Sequence, residues 1–219
     1  MSHINFLARR QPPNKATEQL IKSHPDKLSR FISTDPPSTW STHIRSATPK
    51  PEVFFSSLAT TRANAGGFDK QYALEHDANI ELARAAKDAG TKVYVLISAG
   101  GANSRSSLPY VRMKGEIEKD VLDLGFEKTV IVRPGMLLGD RGETRMLEAP
   151  VAAIAKSLGW ISKPLLRDPW AQDGQEVARA SVSAAMAALK GTGEEGQQKV
   201  RYLSAKDIIR LGRTEWKES

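Results

Sequence analysis

From residue 52 to residue 135 the chain alternates short apolar runs with longer stretches whose apolar residues recur every three or four positions. "EVFFSSLA" (52–59), "KVYVLIS" (92–98) and "KTVIVRPG" (128–135) are the short runs. Uninterrupted apolar strands suit a parallel sheet buried on both faces. Between them, Leu74, Ala78, Leu82, Ala85 and Ala89 predict a helix over 69–89 that Gly90 ends. A second helix, over 109–124, carries Met113, Ile117, Val121 and Leu124 on one face and stops at Gly125. Strands alternating with helices of this length specify βαβ units, and so an α/β fold built on a doubly wound parallel sheet.

The flanks are less regular. "INFLA" (4–8) reads as a strand and 15–22 as a brief helix before Pro25. Five prolines between 25 and 51 break the next region, where "RFIST" (30–34) is a further strand. Helices over 146–158 and 174–189, a strand in "KVRYLS" and a helix over 205–211 complete the pattern. No internal repeat is present, and 219 residues suffice for one sizeable core, so a single domain is expected.

Composition narrows the chemistry. With no cysteine, thiol catalysis, disulfides and Cys-based zinc sites are excluded. His3, His24, His43 and His76 are scattered without a helical pair, so no metal is expected. No run of apolar residues is long enough to span a bilayer. The net charge of +7 is concentrated at the start, where residues 1–50 hold eight Lys/Arg against three Asp/Glu. That charge suits an anionic surface. Aromatics do not interleave with it as a base-stacking platform requires, so no nucleic-acid partner is expected.

In open α/β sheets ligands bind beyond the carboxyl ends of the strands. Ser98 ends the strand over 92–98, and a Gly/Ser-rich loop leads from it to Tyr110 and Lys114. Four helical residues turn about 400° and rise about 6 Å, so Tyr110 and Lys114 project as neighbours. An ammonium beside a phenol favours phenolate, which suits a tyrosine exchanging a proton with a carbonyl or alcohol oxygen. Ser98 is placed to orient the same oxygen. Taken alone, the pair reads more readily as an amphipathic tyrosine and a solvated lysine; the preceding serine and the following Arg-Pro-Gly favour the site.

"KVYVLISAGGANSRSSLPYVRMKGEIE" followed by "VIVRPGMLLGDR" resembles the atypical short-chain dehydrogenase/reductases. Together with "FFSSLATTRANAGG", "DPWAQDGQEVARA" and "DIIRLGRTEWK", it is most similar to a fungal family named for its presence in the mitochondrial proteome. The resemblance spans about residues 4–217. It implies a Rossmann-like fold, an NADP(H) cofactor, a small carbonyl or alcohol substrate and peripheral attachment to the mitochondrial outer membrane. Animal relatives of the same fold interact with the Tat protein. By the same resemblance, Tyr110 is the proton donor, Lys114 its modulator and a ribose ligand, and Ser98 the carbonyl orienter. Thr60 lies beside the cofactor, Pro134 and Gly135 line its nicotinamide end, and Arg9 and Arg10 receive a 2′-phosphate or form a basic surface turn. A superfamily asparagine has no clear counterpart, since Asn79 lies in the right helix but off position, and a frequent glycine is Ala59 here. The lid is expected from 136–175, where Arg141, Glu143 and Arg145 contact ligand or form a solvated cluster.

Members of this family open with a strand and a Gly-x-x-Gly-x-x-Gly turn that holds the pyrophosphate. Here the chain begins at what reads as the second strand. The one matching string, "GTGEEG" (191–196), follows a helix and carries two glutamates, so it reads as a loop. In the 3-2-1-4-5-6 order the first strand is central. The 4–8 strand is therefore expected to pair directly with 52–59, or else residues 1–51 are loosely anchored beside a compact body over 52–217. The basic N-terminus also reads as a transit peptide. Two functions follow: an oxidoreductase, or a non-catalytic Rossmann-fold scaffold in which cofactor binding is impaired.

Overall fold

The computed structural model describes residues 3–9, 15–138 and 171–217. Four parallel strands form the main sheet: β3 (Val53–Ser56), β4 (Val93–Ile97), β5 (Lys128–Val132) and β8 (Val200–Leu203), in that spatial order. The helices between them are the predicted crossovers. The first runs through α4 (Phe68–Tyr72), a π-helical turn (Ala73–Asp77) and α5 (Ala78–Asp88). The second is α6 (Pro109–Asp123). Farther along, β6 (Met136–Leu138) pairs with β7 (Ala171–Asp173), and α7 (Gly174–Lys190), α8 (Gly193–Gln197) and α9 (Ala205–Ile209) follow. The predicted helix over 146–158 lies outside the described residues, as do Arg141, Glu143 and Arg145.

Strand β4 shows why the apolar runs have no polar alternation. Tyr94 and Leu96 face one core with Met113, Ile117 and Val121 of α6 and the alanines of α5. Val93 and Val95 face the other, with Val130 and Val132 of β5 and Val177, Ala180 and Ala184 of α7. Both faces are dry, as a doubly wound sheet demands.

The N-terminal part departs from the first of these expectations. Strand β1 (Ile4–Ala8) pairs neither with β3 nor with solvent alone. It runs parallel to β2 (Leu28–Ile32), from Ile4 opposite Leu28 to Ala8 opposite Ile32, as a separate two-stranded sheet. Residues 1–51 are not uniformly loose. Helix α2 (Pro37–Ser46) buries Trp40 and Ile44 in the α5–α6 core. It is also tied to α5 by Ser41 Oγ donating to Glu81 at 2.6 Å and by an Arg45–Asp88 ion pair at 3.0 Å. Compact packing thus reaches back to α2. Sequence reading missed it because only Trp40 and Ile44, four positions apart, carry the stripe. Two boundaries also move: β3 is four residues rather than eight, and the "RFIST" strand begins two residues earlier.

Candidate active site

Helix α6 opens with Pro109 in its first turn, where a missing N–H costs nothing. Tyr110 is thereby placed at the helix start and is about half exposed. One turn on, Lys114 is only 3% exposed. A further turn on, Glu118 is 4% exposed. The spacing 110, 114, 118 puts all three on one face of the helix. Between them sits Gly115, against which the Asn103–Ser104 backbone packs so closely that a β-carbon would overlap it. The loop from Ser98 to Tyr110 is pinned to α6 in this way, and by Asn103 N–H donating to the Val111 carbonyl at 3.1 Å.

The buried charges on α6 are individually answered. The Lys114 ammonium lies 3.3 Å from Glu75, whose side chain is fully buried on the π-helical turn. Glu75 also accepts from the Thr60 backbone N–H at 3.1 Å and from Gln71 at 2.9 Å. Ser98 donates its hydroxyl to Glu118 at 2.5 Å. Arg133, the residue after β5, donates to both Glu118 oxygens, at 3.0 and 2.5 Å, and stacks over Tyr202 at 4.6 Å. The Glu118 hydrogen bond is the main cause that raises the Arg133 pKa above its ordinary value.

Lys114, Thr60 and Ser98 therefore meet buried carboxylates rather than one another. Lys114 and Thr60 meet through Glu75. Ser98 and Arg133 meet through Glu118. Pro134 is buried and Gly135 exposed. The Gly100 N–H donates to the Pro134 carbonyl at 2.7 Å, and Gln172 accepts from the Gly135 N–H at 2.7 Å, so the segments after β4 and β5 converge. Arg9 is exposed just past β1; Arg10 lies outside the described residues.

Sequence reading missed Gln71 and Glu75 and set Asn79 aside as off position. Gln71, Glu75 and Asn79 stand at four-residue intervals and are all buried. The π turn widens the helix by one residue per turn and swings this row inward, beside the predicted apolar stripe. Asn79 takes the Ser56 hydroxyl and donates to the carbonyls of Leu58 (3.1 Å) and Glu75 (2.6 Å). The row thus fastens the loop after β3, which carries Thr60. The i, i+4, i+8 spacing of Gln, Glu and Asn was the available signal.

A nicotinamide cofactor fits part of this arrangement. Thr60 follows β3, Pro134 and Gly135 follow β5, and Lys114 of α6 meets the Thr60 loop through Glu75, on the strand-end side where its ribose and nicotinamide would be held. Among the described residues no Gly-x-x-Gly-x-x-Gly turn joins a strand to a helix N-terminus for the pyrophosphate. Gly191 caps α7 in the left-handed conformation, and Glu195 of the "GTGEEG" string pairs with Arg201 and Arg210, so that string is structural. No group of three or more His, Asp and Glu stands together as a metal site among the described residues.

Known proteins resemble the whole chain. The mitochondrial protein FMP52 of Coccidioides immitis is 62% identical over 219 residues, all of this chain and 89% of that protein. The mitochondrial protein fmp52 of Aspergillus clavatus is 49% identical over 97% of this chain and 88% of its own. No family model matches. Among solved structures, the UDP-Glc/GlcNAc 4-epimerase of Campylobacter jejuni superposes with a TM-score of 0.61 at 15% identity, over 95% of this chain and 74% of that one. A short-chain dehydrogenase from Streptomyces avermitilis gives 0.58 at 19%, over 95% and 82%. The NAD complex of WbmG from Bordetella bronchiseptica gives 0.54 at 15%, over 99% and 81%. At these identities the solved structures establish the Rossmann-like fold.

Proposed function

The chain belongs to the FMP52 family of fungal mitochondrial proteins, and on that footing we propose that it is an oxidoreductase of the atypical short-chain dehydrogenase/reductase type. Its cofactor is NADP(H), its substrate a small carbonyl or alcohol, and its place the mitochondrial outer membrane, held peripherally. The observation that carries the reading is Lys114: a lysine buried to 3% exposure one helical turn from Tyr110, at the carboxyl edge of the sheet.

A surface charge has no reason to be there. Burying an ammonium costs several kcal/mol unless it is paired, and a solvated lysine avoids that cost by extending into water. Lys114 is instead held inside, where its field reaches the tyrosine of the same face. The nicotinamide, when bound, supplies or accepts the hydride. Tyr110 gives its phenolic proton to the carbonyl oxygen, or takes it from the alcohol, and Lys114 stabilises the phenolate that results. Ser98 orients the same oxygen by turning its hydroxyl from Glu118. Thr60, Pro134 and Gly135 hold the cofactor beside this oxygen, and the exposed Arg9, with Arg10, answers a 2′-phosphate. The names of the relatives support mitochondria, and the basic N-terminal stretch suits an anionic membrane surface. No helix among the described residues is long and apolar enough to cross a membrane.

A second reading has its own observation. Ser98 and Lys114 are both occupied by buried carboxylates, which suits a scaffold that keeps the fold without the chemistry. Titration with NADPH, followed by tryptophan fluorescence and thermal shift, together with NADPH-dependent reduction of 9,10-phenanthrenequinone, separates the two. The oxidoreductase reading expects saturable binding and turnover, with Tyr110→Phe keeping the first and losing the second. Wild-type protein without either defeats it in favour of the scaffold; full turnover by Tyr110→Phe removes the tyrosine from the mechanism.

A further inference from the structure

The Glu75 carboxylate divides its two oxygens between two elements. Oε1 accepts from the Thr60 N–H at 3.1 Å and from Gln71 at 2.9 Å, while Oε2 faces Lys114 Nζ at 3.3 Å. The residue is fully buried, and the π turn that presents it lies between two regular helical segments. Single π turns inside α-helices recur at functional sites. As a stabilising device the arrangement is poor. Two well-packed apolar residues in place of a buried ion pair are commonly neutral or better for stability. What the ion pair does that an apolar pair cannot is keep a charged amine at a fixed place.

We propose that Glu75 is a positioning residue of the site: it holds the Lys114 ammonium in register with Tyr110 and couples it to the Thr60 loop through the other oxygen of one carboxylate. The inference rests on the oxidoreductase reading for its consequence, but its geometry is independent of it. An ammonium has three N–H donors. One is directed at Glu75, which leaves two for the phenol and a ribose hydroxyl. Gln71 and Asn79 complete the support, since each also fastens the loop between β3 and Thr61, through the Thr60 and Leu58 carbonyls. Movement of that loop on binding a ligand is therefore transmitted to the amine beside the proton donor.

Two variants test it. Glu75→Gln keeps the length and removes the charge; Glu75→Asp keeps the charge and withdraws it by one methylene. In the unliganded protein, acylation of Lys114 by an N-hydroxysuccinimide ester, read by peptide mass spectrometry against Lys119 of the same chain, is expected to rise about tenfold in Glu75→Gln, because an amine no longer held by the carboxylate is free to leave its buried place. In NADPH-dependent reduction of 9,10-phenanthrenequinone, kcat is expected to fall about 10- to 100-fold, as for a misplaced catalytic group, with KM changed less than about twofold. The alkaline limb of the kcat–pH profile is expected to move, and Glu75→Asp to lie between. A residue with a purely structural role would lower the melting temperature and leave both the profile and kcat per folded molecule unchanged, and that result overturns the inference. If Glu75→Gln does not fold, Glu75→Asp decides by the same readouts. If the wild-type chain neither binds NADPH nor reduces the quinone, the oxidoreductase reading fails and the labelling decides alone: raised acylation of Lys114 sustains the positioning role, and unchanged acylation ends it.

Discussion

Ser98 donates its hydroxyl to Glu118 at 2.5 Å, and the same carboxylate is gripped from the other side by Arg133. The end of β4, the third turn of α6 and the residue after β5 are thereby joined at one acid. Glu118 is 4% exposed, so its charge depends on Arg133 for an answer.

Replacing Arg133 with Met is expected to destabilise the protein by about 2–3 kcal/mol. That is set below the ~3–5 kcal/mol typical of stranding a buried charge, since the guanidinium itself is partly solvated and screened. Glu118→Gln, which keeps a hydrogen-bonding side chain in place, should cost less. Urea unfolding of the two variants measures the difference, and equal losses would show that shape rather than charge holds the junction.

Gly115→Ala places a methyl group in the backbone of Asn103 and Ser104. Nothing there is a flexible side-chain end, so the loop must move. The expected loss is about 1–3 kcal/mol, as for overpacking. Hydrogen exchange should rise over 99–108 rather than over β5. A wild-type melting temperature would mean that the loop is not packed on α6.

Trp40→Ala tests whether α2 is part of the core. Trp40 is 5% exposed and packs with Ile44 against α5 and α6. Removing it is expected to cost about 3–5 kcal/mol. A loss below about 0.5 kcal/mol, the scale of surface changes, would place α2 outside the cooperative unit.

Tyr72 gives a pH dependence. Burial, then the hydrogen bond to Glu116, push its phenol up to about 12. The folded state holds the proton more tightly than an unfolded tyrosine titrating at about 10. Between those values the unfolded chain binds fewer protons, so stability falls as pH rises. The contribution is complete below about pH 10 and lost by about pH 12. Tyr72→Phe should flatten this part of the stability–pH curve; an unaltered alkaline slope would assign the loss to other groups.

Much of the scaffold was legible because its signals are local. Gly90 and Gly125 stop their helices at the expected places, both with positive φ. Helix α6 ends one residue before the expected boundary. The pairing of β1 was not legible. Residues 4–8 read correctly as a strand, but a strand's partner is set by whichever edge it meets, and β2 lies only a short helix away. Around the site, Tyr110, Lys114 and Ser98 stood out by type and spacing, whereas Gln71 and Glu75 did not, and Asn79 was placed in the right helix but off position. Their helix was read with a regular period, and the π turn breaks that period.

By itself the sequence determined the alternation of strand and helix, the apolar faces and the helical nearness of Tyr110 and Lys114, since each depends on residues a few positions apart. Only the tertiary structure decided what Lys114 and Ser98 touch. Glu75 is 39 residues from Lys114, and Glu118 is 20 residues from Ser98. A buried charge must find a counter-charge wherever the fold brings one, and no local pattern in the chain encodes which one that is.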